Sequence, residues 1–572
     1  MGAVAIEPER AQPPANSAGE DQAAAQIRSG AIDQGGGRVT FGLWAPWKKG
    51  VQLVGDFNDW DAQALPMQPL ESGMWVAELQ LEPGEYGYQF VVDAQSEKPI
   101  WISDPYARKL RWEEGNPQPH ALVSVGKEPY IWGDEGFSAK PLNELIIYEL
   151  HVGDFSPSGD FKGVTEKLDY LHDLGVRAIE LMPVQEFPGD VSWGYNPAYF
   201  FAPESAYGSA DDLKELVDQA HRRGIGIILD MVFNHTDASN PLTRLYAYQD
   251  NPYFGEDGNP WGFPDFNHWD DATKRLIHDV QDYWLLEFHI DGFRYDHAEG
   301  IGFDATSGMQ FLGWAARQTK PQVWLIAEQI QDPVSVVQKT EIDASWHESF
   351  HRYFRAQLRE GDFEGHRYGD MEGVLDQMIY SRSGYSDNAN AINYIETHDQ
   401  ERIAYEVRTN PSLDNDEAVR AKCKLGALAL YTASGVPMIY AGQEFATHTP
   451  KSIDVNKLEW ERLNDPVWED LKNFFAGMAA LRASQPALTR NNLEALVVDN
   501  ERKMIVFKRW NEEGNQVVVG LNFAPVTQHI EVTFPRAGRW HEWVYDSGTD
   551  FGDAAQQSVE LPASGGKVWI AA

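Results

Sequence analysis

The 572-residue chain has one cysteine, Cys423. That excludes an internal disulfide and sets the expectation of a reducing, cytoplasmic location. It has no run of eighteen uninterrupted apolar residues, so no membrane-spanning helix is expected. The opening "MGAVAIEPERAQPP" lacks a basic stretch followed by an apolar one, and no signal peptide is expected. Bases are scarce: 47 lysines and arginines stand against 87 acids, a net charge of −40. Nucleic-acid binding is disfavoured, because no basic excess is present to displace counterions from phosphates. No G-x-G-x-x-G follows the first strand-like run, which disfavours a dinucleotide fold. No H-E-x-x-H or other close ligand pair occurs, which weakens a zinc site.

What the chain has in quantity is aromatic side chains, with 20 Trp, 23 Tyr and 27 Phe. Flat rings with a polar handle stack on sugars, although large cores also consume them. The length implies two to four domains. Residues 1–37, rich in Ala, Gly, Gln and Pro, are expected to form a mobile arm. Residues 38–130 carry short alternating runs such as "VQLVGDF" and "YGYQFVVD" separated by turn formers, the pattern of a small β-sandwich. From 144 to 484 the pattern becomes strand–helix alternation, "LIIYEL", "RAIELMPV", "IGIILDMVF", "IDGFRYD", "QVWLIAEQ", "AINYIETHD" and "GVPMIYAGQE", with an eighth strand near "IDASW". Eight strands over about 340 residues fit an α/β fold closed as a (β/α)8 TIM barrel better than an open sheet. The stretch 236–275 is too long for an ordinary βα loop and is expected to form an excursion over the barrel mouth. Residues 485–572 again read as strands and are expected to form a C-terminal β-sandwich.

In a barrel the chemistry sits at the C-terminal ends of the strands. There the third strand presents Asp230, Asn234 and His235. The fourth presents Arg294 and Asp296, the fifth Glu328, and the seventh His398 and Asp399. Two carboxylates on one rim suit glycosidic bond cleavage. An arginine two residues from Asp296 favours its ionised form, and the apolar run "VWLIA" before Glu328 favours a raised pKa there. A metal-dependent hydrolase is the next reading of the same residues.

The strings "DMVFNHT", "GFRYDHAEG", "IAEQI" and "YIETHDQ", with "FPDFNH" at 263–268 and "GVPMIYAGQE" at 435–444, resemble in order the motifs of the alpha-amylase family, glycoside hydrolase family 13. "GDFNDWD" and "GEYGYQFVVDA" are similar to the glycan-binding module that precedes the catalytic domain in branching and debranching enzymes. The resemblance implies Asp296 as nucleophile, Glu328 as acid/base and Asp399 as the third acid. It implies Arg294 holding Asp296, His235 and His398 gripping the sugar, and Tyr195 stacking on it. No organic cofactor is implied, and calcium at Asn234, as in many amylases, is left open. The implied partner is an α-glucan or maltooligosaccharide, with hydrolysis of α-1,4 links by double displacement as the first expectation. The alternatives are a branching transglycosylase, an α-1,6 debranching enzyme, a maltooligosyltrehalose trehalohydrolase, and an inactive glucan-binding scaffold. His297 departs from the pattern of those groups and is placed among the substrate-binding residues. Oligomeric state is not legible.

Overall fold

The computed structural model describes residues 29–571, apart from 114, 117, 256–258 and 551–554. The chain divides into two compact units, Met1–Asp104 with Val123–Gly126 and Pro105–Leu122 with Lys127–Ala572. Most of the expected mobile arm, residues 1–28, lies outside the described residues. Its last part does not behave as expected: Gly30–Asp33 is a strand paired antiparallel to Arg38–Trp44. Residues 105–122, expected in the first module, belong to the second unit. Buried aromatic and amide groups hold them there, since Tyr106 stacks on Phe201 at 4.5 Å and Gln118 Nε2 donates to the Ser239 carbonyl at 2.6 Å.

The first unit is built of antiparallel strands. Arg38–Trp44 pairs with Met74–Gln80, and Val51–Gly55 pairs with Gly84–Val92, which also pairs with Ile100–Ile102. Alternation along these strands buries Phe41 and Tyr88 against each other, edge to face at 5.0 Å, and the Tyr88 hydroxyl donates to Asp104 at 2.6 Å.

The second unit contains a closed parallel barrel. Its strands are β1 (Ile147–Leu150), β2 (Ala178–Leu181), β3 (Gly226–Met231), β4 (Gly292–Tyr295), β5 (Trp324–Ala327), β6 (Ala344–Trp346), β7 (Ala391–Asn393) and β8 (Val436–Tyr440). Closure is made by β1 pairing with β8, Ile147 opposite Met438. The excursion after β3 ends sooner than expected, because a helix over Asp271–Glu287 begins there, capped by the Asp270 side chain. Strand β7 is also short, so His398 and Asp399 stand on the loop beyond it and not at the strand end. After the helix Pro466–Ser484, a six-stranded sheet and a two-stranded sheet enclose a C-terminal core that includes Met504, Val518, Trp540 and Trp569. No helix among the described residues is long and apolar enough to cross a membrane.

The barrel interior changes character along its length. Ile147, Ala178, Ile228, Ile326, Trp346 and Ile392 belong to one buried cluster that fills it. Side chains two residues apart share a face of a strand. The next inward residues are therefore Glu149 after Ile147, Glu180 after Ala178, Asp230 after Ile228 and Glu328 after Ile326. On β4 the same face carries Gly292, then Arg294, then Asp296. The first of these has no room for a side chain, because a Cβ there would lie 2.9 Å from the Trp324 Cβ. The outward residues of β4 serve packing: the Gln281 Nε2 on the neighbouring helix donates to the Tyr295 hydroxyl at 2.6 Å.

At the other end of β4, Asp291 is buried and closes a charged network. It accepts from His221 Nε2, Lys320 Nζ and the Ile227 amide, each at 2.8 Å. The other ring nitrogen of His221 meets Asp134 at 2.9 Å. Burial works against each of these charges, but the partners outweigh it, so His221 is raised and Asp134 and Asp291 are lowered. Stability drawn from the raised imidazole is complete below its unfolded pKa and lost as pH rises through the folded one. Stability drawn from the lowered carboxyls is present above their unfolded values and lost as pH falls. Asp291→Ala is expected to cost about 3–5 kcal/mol, since it breaks the buried pair with His221 and leaves the Ile227 amide without its acceptor. The loss, measured by urea unfolding, is expected to be largest between about pH 4 and 6.5 and to shrink at higher pH.

Candidate active site

Arg294 is fully buried at the top of β4 and stands at the centre of the polar end of the barrel. Its Nη1 donates to both oxygens of Asp230, at 2.8 and 2.7 Å, and to Asp296 Oδ1 at 2.9 Å. Its Nη2 lies 3.2 Å from Glu328 Oε2. The guanidinium carbon rests 4.2 Å from the Trp346 ring centroid, so the charge is also held by an aromatic face. Asp296 and Glu328 each follow the last residue of a strand, and ladder-type bonds extend to both: the Asp296 amide donates to Met231 and the Glu328 amide to Tyr295. Their carboxyls are therefore fixed by the strand ends.

His297 has φ 45° and ψ 53°, the left-handed region. A non-glycine residue adopts it at a cost on the order of 1–3 kcal/mol when the surroundings demand it. The effect is to turn its amide toward Glu328, and that N–H donates to Oε2 at 2.8 Å. The imidazole of His297 meets Trp261 edge to face at 5.1 Å.

The two other histidines differ in charge. His235 Nε2 donates to the Tyr195 carbonyl at 2.8 Å, and its Nδ1 faces the Asn234 amide at 3.3 Å, which defines a neutral tautomer. Burial lowers its pKa, consistent with that state. His398 donates from Nδ1 to Glu149 Oε1 at 2.6 Å, and its Nε2 lies 3.4 Å from Asp399 Oδ2. Burial opposes its charge, but Asp399 and Glu149 prevail and raise it to about 9. Tyr195 donates to Asp230 Oδ2 at 2.6 Å and stacks on His398 at 5.0 Å. Lys451 Nζ donates to the Asp399 carbonyl at 2.6 Å and stands 4.0 Å from its Oδ1.

The acids around Arg294 outnumber its single charge. Burial raises Asp296 well above the ordinary carboxylate range, with Arg294 opposing and Glu328 adding to the rise. Arg294 therefore holds Asp296 without bringing its pKa down, which differs from the expectation drawn from sequence. Asp230 is raised by burial against the pull of Arg294. Asp399 behaves otherwise: burial opposes ionisation, but His398, Arg294 and Lys451 together lower it.

These groups surround a cavity of about 550 Å³. Of the eight residues expected to act or bind substrate, seven line it: Asp296, Glu328, Asp399, Tyr195, His235, His297 and His398. The eighth, Arg294, lies beneath. Asn234 does not line it; its amide faces His235 and, at 3.4 Å, Asp265. Among the described residues no three His, Cys, Asp or Glu side chains gather as metal ligands, so Asn234 has no ligand set around it here and no chemical step is routed through calcium. Sequence reasoning missed Trp261, Phe263, Trp346, Glu348 and Tyr394, which also line the cavity. Trp346 ends β6 and could have been found by the same strand-end argument, as could Glu149 and Glu180. Phe263, stacked on His235 at 4.9 Å, and Trp261 arrive from the excursion, whose path no periodicity announces.

The alpha amylase catalytic domain family matches residues 146–255 and 259–516. A carbohydrate-binding module 48 (isoamylase N-terminal domain) matches 28–107, and the alpha amylase C-terminal all-beta domain matches 496–570. The chain is 31% identical over 449 residues to a malto-oligosyltrehalose trehalohydrolase of Saccharolobus solfataricus, across 73% of this chain and 75% of that protein. It is 27% identical over 555 residues to a 1,4-alpha-glucan branching enzyme of Mycobacterium bovis, across 88% of this chain and 73% of that one. A crystal structure of a pullulanase from Anoxybacillus sp. complexed with maltotetraose shares the fold, with TM-score 0.79 and 20% identity over 95% of this chain and 87% of that one.

The charge on His398 is open to direct test. Its raised pKa means that protonation stabilises the fold fully below pH 6.5, and that this contribution is lost as pH rises through about 9. Glu149→Gln removes one of the two anions facing it. The midpoint followed by the imidazole ¹⁵N shift is expected to fall from about 9 toward 6.5. An unchanged midpoint would show that Glu149 does not hold the charge.

Proposed function

We propose that this chain, which belongs to the alpha-amylase family, hydrolyses α-1,4 links of maltooligosaccharides and longer α-glucans by retaining double displacement. The observation that carries the reading is the single guanidinium shared by the two carboxyls. Arg294 occupies Asp296 Oδ1 and Glu328 Oε2, and the His297 amide occupies Oε2 as well. Asp296 Oδ2 and Glu328 Oε1 remain for the substrate. Retention expects the two carboxyls about 5–5.5 Å apart, and not at the wider gap that leaves room for a water in inverting enzymes; one guanidinium in contact with both favours the close pair.

The roles follow from that arrangement. In this proposal Glu328 is the acid, acting through Oε1, and Asp296 the nucleophile, acting through Oδ2. Asp296 Oδ2 attacks the anomeric carbon as Glu328 passes its proton to the glycosidic oxygen, and the leaving chain departs with a free hydroxyl. A glycosyl ester remains on Asp296. Glu328, now a carboxylate, takes a proton from water, whose oxygen attacks the same carbon and frees Asp296. Asp399, held ionised by His398 and Lys451, accepts hydrogen bonds from sugar hydroxyls and stabilises the oxocarbenium-like transition state. The protonated His398 holds a further hydroxyl through Nε2, both ring nitrogens of His235 being taken within the protein, and Tyr195 and Phe263 offer ring faces to the sugar. The sole cysteine is buried and unpaired, which suits a reducing compartment, and the cytoplasm is the proposed location.

A second reading is release of trehalose from maltooligosyltrehalose, favoured by the 31% identity to a trehalohydrolase. The first half-reaction is the same, and only the group leaving from the Glu328 side differs. With amylose, new reducing ends without branch points are expected. Branch points with few new ends would replace hydrolysis by transfer, and inertness toward amylose with release of trehalose from maltooligosyltrehalose would establish the second reading. Glu328→Gln is expected to lower kcat by about 10²–10⁴-fold on maltooligosaccharides. A glycosyl fluoride, whose leaving group needs no proton, is expected to restore its first step but not that of Asp296→Asn. Full activity of Asp296→Asn would overturn the mechanism.

A further inference from the structure

The cavity does not end the apolar surface offered to a chain of sugars. Trp261 and Trp269, both carried by the segment after β3, are 58% and 55% exposed. Trp261 lines the cavity and meets His297 edge to face. His297 opens a one-turn helix over Ala298–Ile301, and Gly302 closes it. At the far end of that turn, roughly 6 Å along the axis, Trp269 lies against Gly302, where a Cβ would come within 3.7 Å of its ring. The path from cavity to Trp269 is thus continuous: Trp261, His297, the helical turn, Gly302, Trp269.

Trp269 is also held in place. Its indole Nε1 donates to Asp304 Oδ2 at 2.8 Å, and its amide donates to Asn267 Oδ1 at 3.2 Å. Asp304 is anchored in turn by the Thr306 amide, which donates to Oδ1 at 2.7 Å. A large exposed ring with its rotamer fixed by a hydrogen bond loses little freedom when a ligand settles on it. Exposed apolar groups on the loops after β2 and β8, namely Val191, Ile453 and Val455, are branched aliphatics with no flat face for a sugar.

We propose that Trp269 is a sugar-stacking platform that holds a glucosyl unit of the substrate outside the catalytic cavity, beyond Trp261 and at the far end of the turn that His297 opens. The inference rests on the α-glucan reading above and adds where the chain runs beyond the cavity. Such a platform contributes only to substrates long enough to reach it, so its effect depends on chain length.

The test is kcat/KM along the series from maltotriose to maltoheptaose for the full-length enzyme, Trp269→Ala and Trp269→Phe. Trp269→Ala is expected to lose about five- to tenfold on maltoheptaose and nothing on maltotriose, the range that one aromatic stacking contact supplies. Trp269→Phe, which keeps a flat face, is expected to retain most of the wild-type dependence on length. An equal loss on every length would mean a structural role, and no loss on any length would mean no contact; either overturns the platform. A wild-type self-association, seen by sedimentation and abolished by Trp269→Ala with the length dependence intact, would assign the ring to a second copy of the chain and also overturn it. Failure of the broader reading is separate: the wild-type enzyme would then turn over none of these sugars.

Discussion

Arg294 carries its charge with no solvent exposure, and the arrangement of the barrel's polar end follows from accommodating it. A buried guanidinium is tolerated only when its charge is matched at close range. Asp230 on the adjacent strand supplies two acceptors, in register with Arg294 across the β3–β4 ladder. Trp346 supplies a ring face on the other side. What remains of the fork points to Asp296 and Glu328. The same cation therefore completes the packing of the barrel and links the Asp296 and Glu328 carboxyls.

The acids below the cavity follow from the same balance. Glu149 and Glu180 are direct neighbours across β1 and β2. Neither oxygen of Glu180 has a hydrogen-bond partner, and burial, reinforced by Glu149, raises it well above the ordinary carboxylate range. A neutral Glu180 leaves Glu149 free to pair with the imidazolium of His398. Positive charge thus reaches the cavity from Arg294 beneath Asp296 and from His398 and Lys451 beside Asp399. The asymmetry between a raised Asp296 and a lowered Asp399 follows from how much acid each cation must serve.

The proposed mechanism and the proposed sugar contacts draw on different parts of the second unit. The groups that carry the proposed chemistry stand on or just beyond short strands whose ladders fix them. The aromatic groups proposed to meet the sugar chain, Trp261, Phe263 and Trp269, arrive on the long segment after β3, and Lys451 on the loop after β8. Such loops vary while the barrel persists, and one family can then hydrolyse, transfer or debranch with one constellation of acids.

Strand–helix alternation made the eight barrel strands readable in the amino-acid sequence, because short β-branched runs and amphipathic helices are local patterns. The ends of those strands gathered Arg294, Asp296 and Glu328, and the motif order identified the family. The sequence could not show that β7 stops at Asn393, that His297 turns left-handed to aim its amide, or that residues 105–122 join the second unit. Each of those depends on partners distant in the chain. The stretch "DGFRYDH" holds both cases. Asp291 and Asp296 are five residues apart and read alike as letters. One lies at the bottom of β4, matched by His221 and Lys320, and stabilises the fold; the other lies at the top, beside Arg294, and opens onto the cavity. Local pattern determined that the two flank one strand. Only the tertiary structure, by placing different charges at its two ends, decided what each carboxylate is for.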